Sequence, residues 1–177
     1  MEVHLHPHLT RMRAPKGKQP EIPAPGLNQK KMVYGGVDYR TGKLTYTLAD
    51  SKCGTQFILF LMTLLAGYTG KRLLLVCDNG RLHTTKAVKA FLQLHRDKMT
   101  ILWLPPYCPS LNLIERLWGH VKRTFLANVL YQSLDDLLKA LRLGLLYLNQ
   151  RRDRVAFLYI NQQQNRLNQK SSPQRAA

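Results

Sequence analysis

With 177 residues the chain has room for one domain with a proper core and too little for two. Hydrophobic residues make up 45%, which excludes wholesale disorder, while 27 Lys and Arg against 10 Asp and Glu leave a net charge of +17 and a pI near 10.2. Such an excess points to a polyanionic partner, because each phosphate contact releases condensed counterions; on charge alone the alternative is a ribosome-associated or simply basic protein. Cys53, Cys77 and Cys108 stand far apart without a Cys-x-x-Cys pair, so neither a disulfide framework nor a zinc site is suggested and a reducing cytoplasm is expected. The first residues are polar and His-rich, unlike a secretory signal. The most apolar stretch, residues 57–66, falls far short of the ~20 residues a membrane helix needs.

In chain order, residues 3–9 alternate Val3 and Leu5 with His4, His6 and His8, a strand that Pro7 pushes towards a sheet edge or strand end. Three histidines on one face could hold a metal, or could be a solvated or basic surface. Residues 10–31 carry four prolines and two glycines and read as an exposed loop. Its Arg11, Arg13, Lys16 and Lys18 either grip phosphate or are solvated. Residues 32–37 and 44–48 read as a hairpin around a turn at 38–42, which makes Asp38 a turn former rather than a ligand. Phe57, Ile58, Leu61, Leu64 and Leu65 recur at helical spacing, with Gly70 just past the end.

The apolar run 73–77 predicts a strand buried on both faces, and 99–104 a second one. Between them Thr84 or Thr85 can cap a helix that turns Val88, Phe91 and Leu92 inward. Pro105, Pro106 and Pro109 force an extended corner. A helix follows with Asn112 as N-cap, a buried stripe of Ile114, Leu117, Trp118, Val121 and Phe125, and Glu115, Gly119 and Lys122 on an adjacent line. Ser133 opens a final helix through a Ser-Leu-Asp-Asp capping box, with Leu134, Leu137, Leu138, Leu141, Leu145 and Leu148 along one face for core packing or a partner. Residues 161–177 read as a polar, frayed tail. The order β, ββ, α, β, α, β, α, α describes an α/β fold, a mixed sheet with helices on its faces.

Two of the few acidic residues stand at marked transitions. Asp78 lies where the 73–77 strand stops, at the carboxyl end where open α/β sheets bind ligands, and Gly80 beside it permits a sharp turn or a close approach. Asp78-Asn79-Gly80 also fits a plain Asx-Gly turn. Glu115 sits three residues after its cap, in the favourable field of the helix N-terminus, and cap and ligand are compatible roles. Carboxylates brought together in a basic protein suggest Mg²⁺ or Mn²⁺, and two such ions would serve phosphodiester chemistry. Two carboxylates seldom suffice for two ions, so a third is expected. Gly119 leaves room for a nucleic-acid backbone and Lys122 can meet a phosphate.

Cys77-Asp78-Asn79 with His83, then Leu104-Pro105-Pro106-Tyr107, Leu111-Asn112 and Ile114-Glu115 with Trp118 and Lys122, resembles the catalytic core of the DDE transposases, in the IS630/Tc1/mariner superfamily. The 36 residues between Asp78 and Glu115 match that family's mid-thirties spacing. The long corner motif makes the resemblance specific; more weakly, Ala14-Pro15-Lys16-Gly17 and the 33–42 hairpin extend it over most of the chain. It implies an RNase H-like fold with helices on both faces of the sheet, and metal-dependent cutting and joining of DNA ends at two Mg²⁺ or Mn²⁺ ions. Asp78 and Glu115 would be catalytic metal ligands, and Lys16, Lys18, Asn79, His83, Asn112, Lys122 and Arg123 nucleic-acid contacts. Cys108, Ser110 and Leu113 depart from the family's Ser, Glu and Pro at the corner, and the loss of Pro at the first helical position is tolerable.

The larger departure is at the start: Glu2 matches the residue after the family's first Asp, so Met1 stands in that Asp's place, and no DNA-reading helix-turn-helix precedes it. Alternation along the strand turns Glu2 to the wrong face. The expectation is therefore a catalytic domain over residues 1–160, incomplete alone, from a truncated copy or the downstream frame of a two-frame gene. Its partners would be transposon-end and target DNA, a second copy, and an upstream-frame product carrying the helix-turn-helix. Two other readings stand beside it. One is a non-catalytic nucleic-acid-binding remnant. The other is a stand-alone RNase H-like nuclease whose third carboxylate comes from Glu2 or Asp38.

Overall fold

A computed structural model of the chain describes residues 1–18, 21–23, 26, 28–105 and 111–152. The order is β1 (Glu2–His4), β2 (Lys30–Val37), β3 (Leu44–Ala49), α1 (Gly54–Gly67), β4 (Leu73–Cys77), a 3-10 turn (Arg81–Thr84), α2 (Lys86–Leu94), β5 (Met99–Trp103), α3 (Leu113–Val121), a π turn (Lys122–Leu126) and α4 (Leu134–Gln150). This is the expected α/β succession.

Period-two alternation along β2 builds the two halves of the core. Met32 and Tyr34 face one way, into a cluster with Phe57, Phe60, Leu61 and Leu64 of α1, Val88 of α2 and Met99 of β5. Val33 faces the other way, with Val3 and Leu44, into a cluster with Leu117, Trp118 and Val121 of α3 and the leucines of α4. Helices therefore cover both faces. Leu137, Leu141, Leu145 and Leu148 of α4 are all but inaccessible. Each contributes about 1.5–3 kcal/mol relative to an exposed leucine, so the α4 stripe is core rather than a partner surface.

Hydrogen bonding divides the strands into an antiparallel sheet, β1-β2-β3, and a parallel pair, β4-β5. The ladder that would join β1 to β4 in one mixed sheet is not made among the described residues. β1 pairs with β2 for three residues and ends at His4, short of the strand expected over 3–9; Pro7 beyond it has no N–H to offer a ladder. Across the gap, Met1 and Glu2 share a cleft with Leu75, Val76, Cys77 and Asp78.

The hairpin turn forms as expected: the Arg40 and Thr41 N–H groups donate to Asp38 Oδ1 at 2.8 and 3.3 Å. Burial opposes the Asp38 charge, but these donors with Tyr68 Oη outweigh it and hold the carboxyl below its ordinary value. Gly42 in the same turn has φ +67°, the left-handed region open to glycine. Thr85 caps α2 and Ser133 caps α4.

Two expectations are corrected and one open alternative is closed. β4 and β5 are not buried on both faces: Leu73, Leu75 and Cys77 pack inward, but Leu74 is 67%, Val76 46% and Leu102 54% exposed. The reason is that α3 and α4 lie on β2 and β3, leaving the corresponding face of the parallel pair open. The helix after the corner stays α only to Val121 and then widens into the π turn, which still brings Phe125 against the core. His4, His6 and His8 do not gather as metal ligands, since no trio of His, Cys, Asp or Glu that could hold an ion occurs among the described residues. The corner at 106–110 and the tail at 161–177 lie outside the described residues.

Candidate active site

Two backbone-level clamps position Asp78. The Leu104 N–H donates to the Cys77 carbonyl at 2.8 Å, continuing the β4-β5 ladder past its last pair, and Asn79 Nδ2 donates to the Leu104 carbonyl at 2.8 Å. The carboxyl ends of both strands are thus tied together with Asp78 between the two ties. One amide proton of Asn79, expected on nucleic acid, is committed to this architecture.

The Asp78 carboxylate is itself held. Oδ1 accepts from the Gly80 N–H at 3.1 Å and lies 3.3 Å from His83 Nε2, and Oδ2 faces Asn112 Nδ2 at 3.5 Å. His83 is half-enclosed against the edge of Phe57, ring centroids 4.2 Å apart, and its buried Nδ1 has no partner among the described residues. Burial, ahead of the opposing pull of Asp78, lowers the His83 pKa from its ordinary value. A proton on Nε2 pointing at Asp78 leaves Nδ1 a bare acceptor in apolar surroundings. Gly80 matters for room and not for an unusual φ, which is −58°. A Cβ there would stand 3.1 Å from both Asp78 Oδ1 and His83 Cδ2, so a side chain would press on this pair.

Glu115 reaches the same cleft from the opposite wall. α3 is seated by Trp118, whose ring lies where a Cβ on Gly35 would be, 2.6 Å from two of its carbons. Only glycine lets the indole lie this close to β2, and Glu115, one turn earlier, is carried to the cleft. The expected reciprocal cap is not made. Asn112 is the N-cap by backbone position, but its side chain makes no cap hydrogen bond and turns to Asp78 instead. The Glu115 carboxylate is exposed and accepts no hydrogen bond from a described residue. Freed from capping, it is available for a ligand.

Asp78, His83, Asn112 and Glu115 therefore line one cleft of ≈ 280 Å³, floored by Phe57, Leu61, Leu75 and Trp118. Lys52, which no motif in the sequence marks, lines it too, and its charge acts on His83 and Glu2. It sits in the loop before α1, with only the charge excess of the chain to suggest it. Lys122 borders a neighbouring cavity, the exposed Arg123 guanidinium lies over Gly119, and Lys16 and Lys18 sit in an exposed turn away from the cleft lining. The Cys77 thiol beside Asp78 is pushed up to about 12 by burial and then by the Asp78 charge, which disfavours its nucleophilic thiolate form, and Cys53 and Cys77 are free thiols.

Two carboxylates with hard oxygen donors facing one cleft suit two ligand positions of a divalent cation of the Mg²⁺ or Mn²⁺ kind. The two acids that could substitute for a third ligand, Glu2 and Asp38, are engaged elsewhere. Glu2 pairs with Lys30 at 2.9 Å and His4 at 3.7 Å, and Asp38 is held in its turn. No third carboxylate completes the set among the described residues.

An α/β domain of this order, with carboxylates at the β4 end and the α3 start, is an RNase H-like core. Its fold is similar to that of the Mos1 transposase in a paired-end complex with the left transposon end, at a TM-score of 0.60 and 15% identity over 88% of this chain and 52% of that one. The Mos1 strand transfer complex gives 0.61 and 16% over 88% and 51%. The family model of the DDE superfamily endonucleases matches residues 1–138, and the chain belongs to that family. The 39 kDa uncharacterized protein of insertion element IS630 from Shigella sonnei is 30% identical over 143 residues, 80% of this chain and 41% of that protein. The uncharacterized protein y4pE/y4sA of Sinorhizobium fredii is 29% identical over 69 residues, 39% of this chain and 47% of that protein. The chain spans half or less of the length of these curated relatives. No described helix is long and apolar enough to cross a membrane.

Proposed function

We propose that the chain is the catalytic domain of an insertion-sequence transposase, cutting and joining DNA ends with Asp78 and Glu115 as metal ligands. The observation that carries this reading is the convergence of these two carboxylates, from β4 and α3, on one cleft of an RNase H-like fold. Asp78 and Glu115 would hold Mg²⁺ or Mn²⁺, two ions in a complete site, and such ions would supply a nucleophile of lowered pKa and charge neutralisation for phosphodiester chemistry. The chain's own residues prepare that chemistry. His83 and the Gly80 N–H fix the Asp78 carboxylate, Asn112 orients its second oxygen, Lys52 attracts the scissile phosphate, and the apolar floor limits water. Lys122 and Arg123, and more remotely Lys16 and Lys18, extend the positive surface over which DNA is held.

A third carboxylate is delivered from the β1 side of the cleft, where Met1 faces Asp78 across the gap. The DNA partners are transposon ends and target, a second copy of the chain completes a paired-end assembly, and an upstream product contributes the end-reading helix-turn-helix. This work takes place in the cytoplasm at the nucleoid. The test is metal-dependent nicking and strand transfer on a transposon-end duplex. An extended chain with Asp in the place of Met1 is expected to be active, and Asp78→Asn or Glu115→Gln to abolish activity. Activity surviving both substitutions overturns the site. Robust cleavage by the unextended chain, lost in Asp78→Ala, overturns the need for a third carboxylate.

The lack of a ligand trio among the described residues also favours a second reading, a nucleic-acid-binding remnant without catalysis. That reading expects salt-sensitive DNA binding unchanged by Glu115→Gln, and no cleavage by the extended chain. A stand-alone nuclease fed by Glu2 or Asp38 is disfavoured by the partners that already hold those two carboxylates.

A further inference from the structure

A second cavity of ≈ 280 Å³ lies beside the catalytic cleft, and Glu2 lines both. Its floor is apolar, made by Val3, Leu126 and Leu137, the last buried to 2%. One wall is the N-terminal segment, with His4 at the end of β1 and His6 and His8 beyond it; the other carries Lys122 and Tyr131. Its far end is a built structure. His8 bridges Ala127, the Asn128 N–H donates to the His8 carbonyl at 2.9 Å, and the Thr10 N–H donates to Asn128 Oδ1 at 2.9 Å. Asn128 holds φ +58° to make this clamp, a conformation that asparagine tolerates better than most residues. Tyr131 is fixed by donating to the Phe125 carbonyl at 3.1 Å.

The chemistry of this groove is that of an anion acceptor. It presents three imidazoles, the Lys122 ammonium and the Asn28 side-chain amide; its one carboxylate, Glu2, is already paired with Lys30 at 2.9 Å and lies 3.7 Å from His4 Nε2, while His4 Nδ1 lies 3.4 Å from Asn28 Oδ1, so the donors left to an anion are His6, His8, Lys122 and the Asn28 amide nitrogen. No trio of His, Cys, Asp or Glu gathers there to hold a metal among the described residues. Histidine faces can both donate to phosphate oxygens and stack on bases, a combination suited to a nucleic-acid strand.

The geometry points to a DNA-strand track: a strand leaving the Asp78–Glu115 cleft passes Lys122 and lays its backbone along His4, His6 and His8. The inference rests on the function proposed above, because continuity with that cleft supplies the direction of the strand.

The experiment uses the full chain and a fluorescein-labelled DNA duplex with a single-stranded overhang. Diethylpyrocarbonate modification of each histidine is mapped by mass spectrometry with and without DNA. Bound DNA is expected to protect His4, His6 and His8 several-fold while His95, which caps the end of α2, stays equally reactive. In anisotropy titrations the triple substitution His4→Ala, His6→Ala, His8→Ala is expected to weaken binding about tenfold. Lys122→Gln is expected to reduce the salt slope by about 0.9 for its lost phosphate contact. Unchanged reactivity of the three histidines on DNA that is demonstrably bound overturns the track and leaves the catalytic reading standing. Protection by RNA of the same sequence and not by DNA also overturns it. Failure of the unsubstituted chain to bind DNA at all defeats the catalytic reading and the track together.

Discussion

His83 Nε2 lies 3.3 Å from Asp78 Oδ1, with the imidazole lodged against Phe57 and the backbone of Gly80 pressed beside both. This is the arrangement of a carboxylate aimed by a ring that is itself locked by packing. Outer partners of this kind hold metal ligands in place, and their loss costs about 10–100-fold in metal affinity. His83→Ala is therefore expected to weaken Mn²⁺ binding by that factor, read by titration of the extended chain with Asp in the place of Met1. His83→Gln puts an amide nitrogen near the same position and is expected to recover most of the affinity. Equal thermal stability of the two variants alongside unequal metal affinity separates positioning from mere packing.

The seat of α3 gives a second expectation. A Cβ on Gly35 would meet the Trp118 ring at 2.6 Å, and a buried indole has nowhere to go without moving the helix. Gly35→Ala is expected to destabilise the fold by about 1–3 kcal/mol, the usual range for overpacking. In a domain of this size that corresponds to a loss of roughly 2–4 °C in melting temperature per kcal/mol. Pairing it with Trp118→Leu should be clearly less than additive, since the smaller side chain removes the clash that the methyl creates. Strict additivity in denaturant midpoints would show that the contact does not set the position of α3.

The strand ends and helix starts that bear Asp78 and Glu115 could be read from sequence because each is written locally: an apolar run that stops at an Asx-Gly pair, and an Asn before an amphipathic stripe. The same run could not say what covers it. Five consecutive apolar residues are compatible with burial on both faces, yet Leu74 and Val76 are exposed because the covering helices pack on β2 and β3. Asn112 illustrates the other kind of failure. Its backbone does what capping pattern predicts, while its side chain answers to a partner 34 positions away in sequence. Lys52 and the pairing of His83 with Asp78 are likewise tertiary facts, produced when the loop before α1 and the turn before α2 meet over the end of β4.

Asp38 carries a pH dependence whose sign follows from its donors. Burial raises its pKa, but the Arg40 and Thr41 N–H groups and the Tyr68 hydroxyl prevail, so the folded-state value lies below the ordinary 3.8. A depressed acid stabilises the fold above its unfolded pKa and loses that contribution as pH falls through the folded one. Wild-type chain is expected to exceed Asp38→Asn in melting temperature at neutral pH, with the difference shrinking only below about pH 4. A gap that stays constant into strong acid would mean that the charge of Asp38 does not act on the hairpin.

The last expectation concerns α4, whose leucines form the largest part of one core half. Ser133 Oγ accepts from the Asp136 N–H at 3.2 Å and donates to Asp136 Oδ2 at 2.7 Å, so one hydroxyl satisfies an orphan donor and restrains the first-turn carboxylate. That carboxylate lies at the positive end of the helix dipole, and the Ser133 hydroxyl, ahead of Lys139, holds its pKa below the ordinary value. Ser133→Ala removes both bonds and is expected to cost about 1 kcal/mol in urea unfolding with an unchanged slope, while Ser133→Thr retains most of the stability. DNA binding should be untouched, because Ser133 lines neither the Asp78–Glu115 cleft nor the histidine groove. A matching loss of DNA affinity in Ser133→Ala under conditions where the chain remains folded would tie α4 to the binding surface and contradict its assignment as scaffold.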